Sequence, residues 1–200
     1  MSTDADLLHA WRQGDPDAGR VLFSRHFAGV HRFFANKASH GVDDLVQETF
    51  LACVQGKDRL REGGTFRGFI YSVARRRLYR KWRNESHGAG AIDFGLTSIA
   101  DLLPSPSTLL RARESQKVVL EALRQLPVEM QVALELYYWE GLRAAELATA
   151  LDVPEGTVRS RLRRGRERLH ALIAVEEGDA ASIEDRIRSM RSVVSPSNPA

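Results

Sequence analysis

Apolar residues recur along most of the chain at the three- and four-residue spacing of amphipathic α-helices, and no segment shows the alternation of a half-buried strand. The helices that this pattern predicts are 4–13, 16–38, 42–56, 65–84, about 107–125, 128–139, 143–150 and 155–173. The fold class that follows is all-α.

The two sets of helices are separated by residues 85–106, where the helical periodicity is lost and Gly, Ser and Pro appear. This composition is typical of a flexible linker, with room for a short helical turn. We therefore expect two small helical domains, an N-terminal helix bundle over 1–84 and a second domain over 107–173. A C-terminal tail, 174–200, follows them.

Charged residues are strongly segregated. Residues 59–83 hold nine Lys and Arg against one Glu, and residues 159–170 hold six Arg against one Glu, although the net charge of the whole chain is only +3. Two basic blocks on an otherwise acidic chain indicate two contact sites for a polyanion. The alternative is that both blocks are solvated helix faces.

Several classes of protein are disfavoured by what the sequence lacks. No apolar run reaches the length that spans a bilayer, and the N-terminus MSTDADLLHA lacks the layout of a signal peptide. We therefore expect a cytoplasmic protein without membrane insertion. The single cysteine, Cys53, allows no internal disulfide and is most simply a small core residue.

The sequence offers no sign of catalysis. It has no P-loop, no clustered carboxylates and no metal-ligand spacing, and its six histidines are scattered. We predict no catalytic residue, no metal site and no cofactor, and hence a protein that is not an enzyme.

The second basic block has the layout of a helix-turn-helix motif. A short helix that carries Leu147 and Ala148 is followed by a turn around 152–154 and by a second helix from near Glu155. The positions expected to pack on the domain are Val158, Leu162, Gly165 and Leu169, which share one line at 100° per residue. The opposite side carries Gly156, Ser160, Arg163, Arg164 and Glu167, flanked by Thr157 and Arg159. Such a helix can lie in the major groove, where Arg reads guanine and grips phosphates; a solvated basic face is the alternative.

The first basic block mixes aromatic rings with cations in the segment YSVARRRLYRKWR, residues 71–83. The predicted core face of its helix consists of Phe66, Phe69, Ile70 and Val73. Tyr71, Leu78 and Trp82 form a second stripe, with Arg75 beside it and Tyr79 further round. Rings stack on unpaired bases while Arg and Lys hold phosphates, so this surface favours melted or single-stranded nucleic acid. Alternatively, Tyr71 and Trp82 pack on a neighbouring helix under arginine stems.

The predicted helix 42–56, with Asp43 as a plausible cap, has two contrasting faces. The expected inward positions are Val46, Thr49, Phe50, Cys53 and Val54. The outward positions are Asp44, Gln47, Glu48, Leu51 and Gln55. An acidic, amide-rich face with a central leucine suits docking on a basic protein surface and would repel DNA, whereas a solvated face is the alternative.

Three segments together resemble the extracytoplasmic-function (ECF) type of bacterial RNA polymerase sigma factor. They are DDLVQETFLA, TFRGFIYSVARRRLYRKWR and LRQLPVEMQVALELYYWEGLRAAELATALDVPEGTVRSRLRRGRERL. The resemblance implies that the domain over 1–84 binds the β′ clamp helices of core RNA polymerase and recognises and melts the −10 promoter element. It implies that the domain over 107–173 reads the −35 element and touches the β flap. The chain would thus direct polymerase to specific promoters.

The resemblance, together with the helix faces described above, assigns residues to these tasks. Polymerase docking falls to Asp44, Gln47 and Glu48, with Leu51 beside them. The melted −10 strand is expected at Phe69, Tyr71, Arg75, Arg76, Tyr79, Arg80, Trp82 and Arg83. The −35 DNA is expected at Thr157, Arg159, Ser160, Arg163 and Arg164. Phe69 stands where the family usually has Trp, and Arg76 and Arg80 stand where Asn and Asp are common, which gives contacts to the DNA backbone more weight here.

Two other classes of function remain as alternatives. One is a helix-turn-helix regulator that binds promoter DNA independently of core polymerase, and the other is an enzyme that acts on nucleic acid. The docking face and the aromatic-basic helix favour the sigma factor. Members of the family are commonly held inactive by an anti-sigma factor, so the resemblance leaves such a partner open.

The tail extends past the usual end of the second domain. Ile183, Ile187, Met190 and Val194 share one helical stripe. A stripe this short is marginal as an isolated helix. It is expected either to dock on a domain or a partner as a regulatory element, or to fray without a role.

Overall fold

The computed structural model of the chain describes residues 2–59, 64–85, 92–103, 114–174 and 183–194. These residues form ten α-helices and a short 3₁₀ turn, Lys57–Arg59, with no strand among them, so the all-α prediction is confirmed. The helices are α1 (Asp4–Arg12), α2 (Pro16–Ala35), α3 (Val42–Gly56), α4 (Phe66–Glu85), α5 (Ile99–Leu102), α6 (Glu114–Gln125), α7 (Val128–Tyr138), α8 (Ala144–Leu151), α9 (Glu155–Ala174) and α10 (Ile183–Val194).

Helices α1–α4 form the N-terminal bundle. Thr3 caps α1 in a capping box with Asp6, and the side chain of Asp15 caps α2, whose first residue is Pro16. The apolar faces of α2, α3 and α4 meet in a core that includes Leu22, Val46 and Ile70.

Most helix boundaries lie within one residue of those predicted, and two differences have physical reasons. Helix α2 ends at Ala35 instead of continuing to 38, because Asn36 forms its C-cap. The cap of α3 is Gly41, whose φ of 69° suits glycine, so the prediction of Asp43 as cap was wrong. The stretch 107–113 of the predicted helix 107–125 lies outside the described residues.

Helices α6–α10 form the C-terminal domain. The apolar faces of α6, α7 and α9 enclose a second core with Leu123, Leu134 and Leu169. The tail helix α10 joins this core through Ile187 and Met190, and the indole Nε1 of Trp139 donates a hydrogen bond to the carbonyl oxygen of Ile187 at 2.6 Å. The part of the tail over 183–194 is thus an ordered element of this domain; the side chains of Ile183 and Val194, and residues 175–182 and 195–200, lie outside the described part.

The described part of the predicted linker, 92–103, is folded against both domains. Phe94 is 6% exposed and stacks on Tyr79 of α4 at 4.0 Å between ring centroids. Its carbonyl oxygen accepts a hydrogen bond from the amide of Glu129 in α7, at 3.2 Å. The expectation of a flexible linker was therefore wrong for 92–103, because a buried aromatic residue anchors it; 86–91 and 104–106 lie outside the described residues.

The bundle and the C-terminal domain are packed on each other. Helix α8 lies along α4, and the larger core passes through this contact, since it contains Ile70 and Ala74 of α4 together with Leu147 and Leu151 of α8. This placement decides which faces of α4 remain available to a ligand.

Candidate functional site

The outward face of α3 is exposed as predicted. Asp44, Gln47, Glu48, Leu51 and Gln55 all face solvent, and Leu51 is 55% exposed. Glu48 forms an ion pair with Arg77 of α4 at 3.3 Å. The result is an acid- and amide-rich surface with an apolar residue at its centre, a composition that suits a basic protein surface.

An apolar strip that sequence reasoning missed adjoins this face. Phe27 of α2 is 46% exposed and stacks on Phe50 of α3, with ring planes 11° apart. Val54, one helical turn beyond Phe50, is 44% exposed, so its prediction as an inward residue was wrong. The available signal was the four-residue spacing of Phe23 and Phe27, which puts both rings on one side of α2.

A groove between α3 and α4 collects arginines around one aromatic ring. Its volume is about 380 Å³, and its lining includes Phe69, Arg76, Arg77 and Arg80. Arg76 and Arg80 are exposed, and Phe69 is half-buried. Of the predicted −10 residues, these three lie together on an open surface, where they could hold a phosphate and cover a base.

The three aromatic residues predicted for the −10 strand are not on the surface. Tyr71, Tyr79 and Trp82 are 1%, 8% and 2% exposed. Tyr79 and Trp82 lie against Phe94 of the linker, and Tyr71 lies against Phe33 of α2 at 5.9 Å between ring centroids. The Nε1 of Trp82 donates to the carbonyl oxygen of Lys37 at 3.1 Å. Their prediction as an exposed stacking surface was therefore wrong for this arrangement, because the second stripe of α4 meets a folded neighbour instead of solvent.

The two remaining cations of the first block lie over rings. The guanidinium of Arg75 is 5.4 Å from the ring centroid of Tyr79, and that of Arg83 is 5.4 Å from the ring centroid of Phe94. Both distances fit cation–π contacts. The predicted −10 set is thus divided between an open groove and a covered aromatic stripe.

Ion pairs between the two domains line the edge of the covered stripe, and we call them the acidic seam. They join Arg32 to Glu140, Lys37 to Glu135 and Arg67 to Glu146. The Nε of Arg32 donates to Oε1 of Glu140 at 2.6 Å and its second nitrogen donates to Oε2 at 3.0 Å. Burial lowers the pKa of Lys37, and Glu135 opposes that shift.

Glycine permits the close approach of α8 to α4. A Cβ atom added at Gly68 would lie 3.1 Å from the carbonyl oxygen of Glu146 and 3.1 Å from Cβ of Thr149. Burial, and then the charge of Glu140 and a hydrogen bond with it, raise the pKa of Tyr71 well above its usual range. The face of α4 that carries Tyr71 is therefore closely matched to the C-terminal domain.

The helix-turn-helix motif is confirmed in its elements. Asp152 ends α8 in the left-handed conformation, with φ of 56°, and α9 begins at Glu155. Val158 and Leu169 are fully buried, and Gly165 packs against Leu134 of α7. Leu162 is half-buried.

The predicted −35 residues share the outer face of α9. Arg159, Arg163 and Arg164 are exposed, and Thr157 and Ser160 are partly exposed. Arg159 and Arg163 lie one turn from Glu155 and Glu167, at 3.4 and 2.7 Å. In contrast, Arg161 points inward to Glu129 and is a structural residue. The outer face is a cationic helix surface open to a major groove.

Neither a metal centre nor a membrane span is present in the described part of the chain. No group of three or more His, Cys, Asp or Glu there could hold a metal ion. None of its helices is both long and apolar enough to cross a bilayer.

Two family profiles match the chain, namely Sigma-70 region 2 over residues 22–87 and Sigma-70 region 4 over residues 116–169. The first contains the α3 face and the groove, and the second contains the helix-turn-helix motif.

Known relatives agree with these matches. The ECF RNA polymerase sigma-E factor of Haemophilus influenzae is 30% identical over 176 residues, which cover 82% of this chain and 92% of the relative. The protein of that name from Escherichia coli K12 is 29% identical over 174 residues, which cover 82% and 91%.

Solved structures share the fold. The sigma factor RpoE of Bartonella quintana, in complex with the anti-sigma factor NepR, gives a TM-score of 0.58 at 19% identity and covers 79% of this chain and 98% of RpoE. CnrH, in complex with the cytosolic domain of CnrY, gives 0.54 at 22% identity and covers 87% and 99%. With the family matches, these findings show that the chain belongs to the ECF group of sigma-70 factors, which are transcription initiation factors and not catalysts.

Proposed function

We propose that the chain binds core RNA polymerase, directs it to specific promoters and helps to melt the −10 region. The observation that carries this proposal is that one chain exposes two surfaces of opposite charge. These are the acidic α3 face and the cationic outer face of α9. The first suits a basic protein and the second suits duplex DNA. A regulator that binds DNA independently of polymerase would have no need of the first.

We assign polymerase docking to Asp44, Gln47, Glu48 and Leu51, and extend it to the adjoining ring of Phe27. The proposed contacts are the β′ clamp helices for this face and the β flap for the C-terminal domain. The assignment is supported by exposure and by charge, because an acidic face cannot serve as a DNA-binding surface. The exposed apolar side chains would supply area to bury, while the acids would orient the partner.

We assign the −35 element to Thr157, Arg159, Ser160, Arg163 and Arg164. For the melted −10 strand, the accessible contact is the groove with Phe69, Arg76 and Arg80. Tyr71, Tyr79 and Trp82 are buried, so they could join only after the residues that cover them have moved. Arg75 is half-buried and Arg83 is exposed, and both lie beside these rings. Stacking of about 1–3 kcal/mol per base would then offset unstacking of the promoter.

An anti-sigma factor is a further partner within this proposal. Its support is that the similarly folded RpoE was solved with the anti-sigma factor NepR.

The proposed division of the chain is 1–84 for polymerase and the −10 element, 85–106 for the linker, 107–173 for the −35 element and 174–200 for the extension. The two family matches fall on the proposed functional domains, with the first running three residues into the linker.

The test is transcription by purified core RNA polymerase from fragmented genomic DNA of the source organism, with and without the chain. We expect new, discrete transcript starts that share upstream elements, and at least a tenfold loss of these starts with Asp44→Arg. The control is Asp17→Arg, a similar reversal at an exposed acid on α2. Binding of the same DNA without any dependence on polymerase would instead identify a helix-turn-helix regulator.

A further inference from the structure

Helix α9 contains two glycines, Gly156 and Gly165. Glycine is a poor helix former because it loses more backbone freedom on folding than any other residue. Two internal reasons commonly explain a glycine in a folded chain. One is a left-handed backbone conformation, and the other is a neighbour so close that a Cβ atom would not fit.

The second reason explains Gly165. A Cβ atom added there would lie 3.2 Å from Cδ1 of Leu134 in α7, so the packing of α9 on α7 depends on the missing side chain. Apart from Gly156, every glycine whose surroundings the structure describes has either a positive φ, as at Gly141, or a Cβ position within 3.4 Å of another atom, as at Gly68.

Neither reason applies to Gly156. The residue lies within α9 and has no positive φ, and an added Cβ atom would have no atom within 4 Å beyond its own helix backbone and adjoining residues. It is exposed to solvent. Nothing in the described part of the chain therefore accounts for this glycine, and the explanation has to come from a surface that approaches α9 from outside.

The surroundings of Gly156 indicate what that surface is. The residue belongs to the cationic outer face of α9, in line with Ser160 and Arg163. The hydroxyl of Ser160 donates to the carbonyl oxygen of Thr157 at 2.9 Å, so this side chain lies back along its own helix. The first turns of the outer face thus project little. A duplex would reach the short groups there only by coming close to the backbone of α9.

We infer that Gly156 is the point at which the chain approaches duplex DNA most closely, and that its missing side chain determines how well α9 discriminates between sequences. The inference rests on the proposed function and deepens it by naming a specificity-determining position. A methyl group there would hold the helix away from the groove. The short side chains of Thr157 and Ser160 would then lose the base edges, whereas the long side chains of Arg163 and Arg164 would still reach phosphates.

The test is a size series at this position, Gly156→Ala and Gly156→Val. The probes are the duplexes that the unmodified chain selects from fragmented genomic DNA of the source organism, once with core RNA polymerase and once without it. A mixed-sequence duplex of the same length is measured in parallel. We expect affinity for the selected duplexes to fall at least tenfold with alanine and at least a hundredfold with valine. Affinity for the mixed-sequence duplex should stay within twofold.

Thermal unfolding separates this effect from a structural one. Alanine is the better helix former, so Gly156→Ala should raise Tm by about 1–3 °C while it weakens binding. Gly165→Ala should lower Tm, because its Cβ atom meets Leu134. Ala171→Val adds bulk at an exposed position near the other end of α9, and it is the control for binding, with an expected change within twofold.

Each result decides a separate point. Selected duplexes bound equally well by the unmodified chain and by Gly156→Ala would overturn the inference and leave the proposed function intact. A lower Tm for Gly156→Ala, or an equal loss of affinity for selected and mixed-sequence duplexes, would also overturn it. Selection of the same duplexes regardless of polymerase would count against the proposed function, while the size series would still decide the inference. The absence of any selected duplex in both formats would overturn the inference, since it requires a preferred sequence.

Discussion

Cys53 lies on the inner face of α3 and is 0% exposed. Burial raises the pKa of its thiol from 9.0 to about 12, and the charge of Arg76 opposes the shift. A rise of this size lowers the thiolate fraction at neutral pH by about a thousandfold, and the thiolate is the reactive form. A thiol in this position cannot serve as a redox sensor while the bundle is folded.

We predict that the native chain resists alkylation by iodoacetamide at pH 8, with a rate at least a hundredfold below that of the chain in 6 M urea. Mass spectrometry of the intact chain would measure the modified fraction over time. The denatured sample is the internal control, since it carries the same thiol without burial. Rapid, stoichiometric modification of the native chain would show that α3 opens far more readily than its packing indicates.

The residues whose positions were predicted well are those set by one helix alone. Asp44 and Glu48 on α3, and Arg159 and Arg163 on α9, lie opposite a single apolar stripe, and helical periodicity is sufficient to place them outside. Tyr79 was placed wrongly because the periodicity of one helix does not show what packs against that helix. The periodicity of α4 shows two apolar stripes, but it does not show which of them meets the C-terminal domain.

The tail helix α10 shows how an element too short to be stable alone is held by its neighbours. It lies against α6, α7 and α9, with Ile187 0% exposed and Met190 1% exposed. The guanidinium of Arg188 lies 5.4 Å from the ring centroid of Tyr138, and Arg166 of α9 pairs with Glu184 at 3.7 Å. The helix completes the C-terminal core. Its stripe of four apolar residues could not predict this from sequence, because the surface on which it packs comes from other helices.

We predict that Ile187→Ala destabilises the chain by about 2–5 kcal/mol, because it removes a buried side chain and leaves a cavity next to Trp139. Urea unfolding followed by circular dichroism would measure the change. The matched control is Ser189→Ala on the exposed side of the same helix, with an expected change within about 0.5 kcal/mol. A loss for Ile187→Ala no larger than that of the control would mean that α10 detaches at little cost.

The helix-turn-helix turn could be predicted because its signals are local. Pro154 and the residues around it interrupt the periodicity of α8, and Asp is among the few residues that adopt the left-handed conformation with ease. The end of α2 was overestimated because Asn36 caps the helix, and the buried residues Lys37 and Ala38 lie beyond that cap.

The chain as a whole has a core that crosses between its two domains. Ile70 of the bundle and Leu147 of the C-terminal domain belong to one buried cluster, and two of the three seam pairs join residues 98 and 108 positions apart. Contacts at such separations leave no trace in hydrophobic periodicity. This is why two domains could be predicted and their closure could not.

Because of this shared core, we predict that both domains unfold in a single calorimetric transition near neutral pH. Separate domains would unfold independently, whereas domains that share buried surface are coupled. Gly68→Leu should split the transition into two by forcing α8 away from α4. Two transitions in the unmodified chain would indicate that the contact is too weak to couple the domains.

The ordered linker segment around Phe94 also affects how strongly the two domains are held against each other. A free chain of about 30 residues, as between α4 and α6, keeps its ends roughly 30 Å apart on average, and pinning Phe94 on Tyr79 shortens that tether. Tethers of this length give effective concentrations in the millimolar range. The tether therefore adds to the contacts of the seam in keeping the two domains closed. A competing ligand has to displace an interface whose partner stays present at that effective concentration.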